Sequence, residues 1–81
     1  MTPTTRQRLR ERAEALRDYG RREIDEATAD ALDHLASCGD VCAADLPWPE
    51  RTARRAVARV REVEGLTVVA SLRRANAWGL A

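Results

Sequence analysis

The residues best equipped for chemistry lie in "PERTARRAVARVREVEG", positions 49 to 65, where Arg51, Thr52, Arg54, Arg55 and Arg59 recur at helical spacing. A guanidinium offers five N–H donors in a planar fork, which matches a phosphate, a carboxylate or the O6 and N7 edge of guanine. At about 100° per residue, Arg51, Arg54, Arg55, Ala58 and Glu62 share one side of such a helix, while Ala53, Ala56, Val57, Val60, Val63 and Glu64 share the other. The pattern predicts one packed face and one cationic strip. Arg73 and Arg74 form a second basic pair between two short apolar runs near the end of the sequence. A solvated surface is the plain alternative for all of these, helped by pairs such as Glu50 with Arg54 and Arg55 with Glu62.

Other chemistries are weaker. His34, Cys38 and Cys42 are spaced by four, so a helix running through them would line them on one face, with Asp40 or Asp45 to complete four metal ligands. "CGD" interrupts that helix between the two cysteines, and the reading preferred is two thiols acting as small core side chains. No cofactor or metal is expected. Asp30, Asp33, Asp40 and Asp45 read as ordinary helix-surface and turn residues, and no Ser-His-Asp set, phosphate-cradling glycine loop or paired-carboxylate pocket is discernible. The expectation is a non-enzyme.

Positioning the arginines falls to a short series of elements. Leu9, Ala13 and Leu16 mark one face of a first helix, and the stripe resumes beyond Tyr19 and Gly20 at Ile24, Ala27, Ala31, Leu35 and Cys38, widened by Leu32. One bent helix or two would satisfy it. Gly39 ends this stretch. "VCAADL" then predicts a helix of at most about two turns, stopped by Pro47, whose ring disfavours the helical conformation in Leu46. Pro49 suits the start of the Arg-rich helix and Gly65 its C-terminal cap. The β-branched "LTVVAS", the polar "LRRAN" and the apolar "AWGLA" predict a hairpin with Arg73 and Arg74 at its tip.

At 81 residues the chain is one small domain with room for a modest core. Its net charge of +1 divides unevenly: residues 1–46 hold seven arginines against ten acids, net −3, and residues 47–81 seven against three, net +4. A basic partner surface therefore belongs to the second half. All fourteen basic residues are arginine, which a GC-rich genome alone could produce, so placement counts for more than number. No apolar run approaches the roughly 20 residues of a membrane span, and "MTPTTRQRLRER" lacks the apolar centre of a signal peptide. With two cysteines and no disulfide framework, a soluble cytoplasmic protein is expected.

The segment "VCAADLPWPERTARRAVARVREVEGL" resembles the helix-turn-helix core of winged-helix DNA-binding proteins, with Ala44 and Leu46 on the first motif helix, Trp48 before the second, and Thr52, Ala53, Val57 and Val60 following at the usual offsets. "LTVVASLRRANAWGLA" looks like the wing. The resemblance covers residues 23–81 and departs from the pattern at Pro49, which replaces a Ser or Thr cap, and in the turn, where two prolines set the angle in place of a glycine. It implies a mainly α fold with a small β-hairpin: a winged helix-turn-helix domain at 23–81, preceded by an N-terminal helical extension at 1–22. The implied partner is double-stranded DNA, with helix 49–64 in the major groove and wing 66–81 on the backbone or minor groove, as in a small transcriptional regulator or a plasmid or phage accessory factor. Arg51 and Arg55 are then the base readers, Thr52, Arg54 and Arg59 the phosphate contacts, and Arg73 and Arg74 the wing-tip contacts. About five neutralised phosphates would give a log–log salt slope of about −4 to −5. The alternatives are a winged-helix adaptor for protein partners without DNA binding and, less favoured, a metal- or thiol-responsive repressor. The stripe of Leu9, Ala13 and Leu16 needs a cover, and pairing with a second copy is favoured over folding back, which predicts a homodimer through the N-terminal helix.

Overall fold

Threonine and proline start the first helix. In the computed structural model, which describes residues 2–63 and 68–80, Thr2 Oγ1 accepts the Thr5 N–H at 3.1 Å and Pro3 occupies the first turn of α1 (Pro3–Tyr19). Two helices form where one bent helix was the alternative. Gly20 leaves the helix in an extended conformation, and α2 (Glu23–Cys38) begins three residues later with Glu23, Asp25 and Glu26 at the positive end of its dipole. Asp25 Oδ2 accepts the Arg22 N–H at 3.3 Å. The break requires glycine, because a Cβ on Gly20 would stand 2.3 Å from the Leu16 carbonyl oxygen and 2.4 Å from Asp25 Cβ.

α2 is the centre of the domain and packs against both α1 and α3 (Glu50–Val63). Leu9, Ala13 and Leu16 are buried with Ala27, Ala31, Leu32 and Leu35, and Ala53, Ala56, Val57 and Val60 join the same core. Among the described residues, seven of the fifteen buried members of this core are alanine, so the helices are held by close backbone approach more than by bulk. The first stripe is thus covered within a single chain. The turn at Gly20 folds α1 onto α2, and Leu9, Ala13 and Leu16, the side chains expected to pair two copies, are at most 8% exposed within the single chain.

α2 ends at Gly39, whose φ of 84° is the left-handed conformation that glycine adopts without strain. The chain then enters β1 (Asp40–Val41), a single 3-10 turn (Ala43–Asp45), α3, and a hairpin of β2 (Val68–Ala70) and β3 (Trp78–Leu80). The short helix expected over 41–46 is shortened to that one turn because Asp40 and Val41 are drawn into the sheet, and Leu46, before Pro47, is extended. The sheet is antiparallel with order β1-β3-β2, Val41 opposite Trp78 and Ala70 also opposite Trp78. The molecule is mainly helical with a small three-stranded antiparallel sheet. Glu64 and Gly65, expected to close α3, and the first wing residue, Leu66, lie outside the described residues.

Both tryptophans pack on the core while half-buried. The thiols do not fill it as expected: Cys38 is exposed at the end of α2 and Cys42 half-buried after β1, both unpaired. Among the described residues, no helix is long and apolar enough to cross a membrane.

Candidate nucleic-acid interface

α3 presents its cations as its periodicity requires. Arg51, Arg54 and Arg55 are exposed, and Thr52 is half-buried at the flank. Arg54 is bonded to Glu50 at 2.7 Å in a solvent-exposed pair of the i,i+4 kind, whereas no described residue pairs with Arg51 or Arg55. The side chain of Glu62, the expected partner of Arg55, lies outside the described residues. Such an exposed pair contributes little and yields easily to another anion.

Three other candidates are committed inside the molecule. Arg59, expected on phosphate, instead donates to the buried Asp25 carboxylate at the start of α2, its guanidinium also 3.5 Å from Thr28 Oγ1. It turns inward because a carboxylate that is 8% exposed needs a counterion. Arg74 is not a free wing-tip contact. Its guanidinium takes both oxygens of Asp45, at 3.0 and 2.7 Å, and Asp40 Oδ1 at 2.8 Å. Arg73 remains exposed, but its Nη1 donates to the Cys38 carbonyl at 2.9 Å, capping the end of α2. The hairpin tip therefore folds against the α2–β1 junction, and neither Arg73 nor Arg74 is arranged to reach outward.

The electrostatics follow from these bonds. The Arg74 hydrogen bond, assisted for Asp40 by Ser71 and for Asp45 by the Cys42 N–H, holds both carboxyls well below the usual carboxylate range, and Arg59 does the same for Asp25. Arg74 is correspondingly raised by the two aspartates. A third set joins the helices to the proline elbow: Arg17 bonds Asp30 and Asp33 at 2.7 and 2.6 Å, and Trp48 Nε1 donates to Asp30 at 2.7 Å. Asp30, Asp33, Asp40 and Asp45, read from the sequence as ordinary helix-surface and turn residues, are the counterions of Arg17 and Arg74, and Asp25, not singled out there, is that of Arg59. The one signal of it in the sequence is the opposite net charge of the two halves, which the Arg59 and Arg74 pairs bridge, whereas the Arg17 pairs lie within the first half.

His34 Nδ1 lies 3.0 Å from the Asp40 carbonyl oxygen and must carry the proton it donates there, leaving Nε2 facing Cys38 Sγ at 3.9 Å. Among the described residues no group of three or more His, Cys, Asp or Glu side chains is placed to hold a metal ion. Arg61, passed over in the sequence, stacks on Trp78 with its guanidinium carbon 3.5 Å from the ring centroid. No family model, curated protein or solved structure matches the chain. The arginine strip of α3 thus stands on its own geometry: Arg51, Arg54 and Arg55 together on one exposed face, with Arg59, Arg73 and Arg74 removed from it.

Proposed function

We propose that the chain is a cytoplasmic winged-helix protein that binds double-stranded DNA through α3, in a regulatory or accessory role. The observation that carries this reading is the exposed row Arg51, Arg54 and Arg55 on a helix mounted between a short turn and a three-stranded sheet of order β1-β3-β2. An α-helix fits the major groove, where an arginine fork discriminates guanine by two hydrogen bonds. Arg51 and Arg55 read bases, and Arg54 and Thr52 hold the backbone. Arg59, Arg73 and Arg74 maintain the fold that aims them.

The test is an anisotropy titration of the chain into a pool of random duplex DNA in dilute salt, followed by selection of the bound sequences. Arg51→Ala and Arg55→Ala should each cost about 1–3 kcal/mol on the selected site and relax preference at particular base pairs. Arg74→Ala should lower thermal stability and leave the affinity of the folded fraction unchanged. Absence of binding to any duplex would reject the reading in favour of a protein-binding adaptor.

A further inference from the structure

α3 has a second exposed flank, turned toward the sheet. Between the 3-10 turn, α3 and the start of β3 runs an open trough of about 730 Å³. Its apolar lining includes Leu46, Trp48, Val57 and Trp78, and Arg54 and Arg61 stand along its α3 side. Both indoles remain half-exposed there despite packing on the core.

We propose that this trough docks an amphipathic helix of a protein partner, with leucine-type side chains on the apolar floor and carboxylates on Arg54 and Arg61. The charge geometry selects this occupant. Arg54 and Arg61 are seven residues apart, about 10.5 Å along α3, which is the separation of two carboxylates at positions i and i+7 of a helix laid beside it. From Glu50 to Arg61 the trough follows α3 for about 16 Å, three turns of such a partner. Stacking on Trp78 holds Arg61 in place before any partner arrives, and the exposed Glu50–Arg54 pair exchanges one carboxylate for another at little cost. An apolar floor offers a DNA backbone no hydrogen bonds, and an open trough encloses too little of a small molecule to hold it well. The helix-in-groove mode fits both the floor and the rim. Arg54 is common to this surface and the DNA-reading face, whereas Arg51 and Arg55 are not trough residues, so the two proposals can fail separately.

The probe is a synthetic helical peptide of about 15 residues with leucines at i, i+3, i+4 and i+7 and flanking glutamates, set against its twin with lysine for every glutamate. Each is titrated into the full chain while tryptophan fluorescence and backbone amide shifts are followed. The acidic peptide should bind saturably, moving Trp48, Trp78 and the amides around Leu46, Ala58 and Arg61, and the lysine twin should bind at least about tenfold more weakly. Ala58→Gln, which places a longer neutral side chain in the trough on a helix-compatible position, should weaken the acidic peptide about tenfold. Arg54→Glu with Arg61→Glu should reverse the preference between the twins, and if that variant does not fold, Ala58→Gln alone decides. No saturable response up to about 1 mM, equal binding of the twins, insensitivity to Ala58→Gln, or shifts confined to α1 would overturn the proposal.

Discussion

Arg74 holds two carboxylates at once, and one of them, on Asp40, is only 3% exposed. Its stabilising effect depends on those carboxylates staying ionised. Asp25, Asp40 and Asp45 all have folded-state pKa values below their ordinary range, so each binds a proton less readily folded than unfolded. The stability they lend is complete above the ordinary carboxylate range, about pH 4, and is lost as pH falls through the lower folded values. The urea midpoint should therefore hold steady from about pH 7 to pH 5 and drop below about pH 4. Asp40→Asn should begin lower at neutral pH and show a smaller acid drop, and an acid drop equal to that of the parent would show that Asp40 does not contribute. These pairings were hidden in the sequence for a physical reason. Helical spacing shows which side chains share a face, but Asp25 and Arg59 are 34 positions apart, as are Asp40 and Arg74, and only the folded chain brings them together.

Periodicity shows that a helical face must be buried and is silent on what buries it. The stripe of Leu9, Ala13 and Leu16 and the packed face of α3 were both legible; the stripe is buried, as are Ala53, Ala56, Val57 and Val60 of that face, while the side chain of Val63 and Glu64 lie outside the described residues. The cover over the first was not, because a second copy and a neighbouring helix satisfy the same spacing. With α1 folded onto α2, Leu16→Asp should unfold the domain instead of separating two intact subunits, since it places a charge among apolar neighbours. Leu16→Ala, which leaves a cavity, should cost about 2–5 kcal/mol by urea titration. Circular dichroism with sedimentation on the Asp variant decides: a folded chain of halved mass would restore the dimer. The turn before α3 was misjudged for a related reason, as "VCAADL" has the composition of a helix but its first residue is claimed by the sheet.

Charge placement over the whole domain limits how it can meet a polyanion. With Arg59, Arg73 and Arg74 engaged internally and Arg61 stacked on Trp78 beside the trough, Arg51, Arg54 and Arg55 are the guanidinia of the DNA-reading face of α3 left to meet phosphates or bases, and the log–log salt slope of DNA binding should be about −3, shallower than the arginine content suggests. Affinity measured at several salt concentrations on one duplex checks it, and a slope near −5 would mean that the internal pairs open on DNA. The sheet order has a different kind of consequence. β3, which follows β1 and β2 in sequence, lies between them and is the strand to which each of them pairs. Synthesis runs from the N-terminus, so α1 and α2 can pack once residue 38 has cleared the ribosome, while β1 waits without its ladder partner until residue 78 has been added. A nascent chain stalled before Trp78 would hold its helical pair with no sheet at all, since β1 and β2 share no ladder of their own.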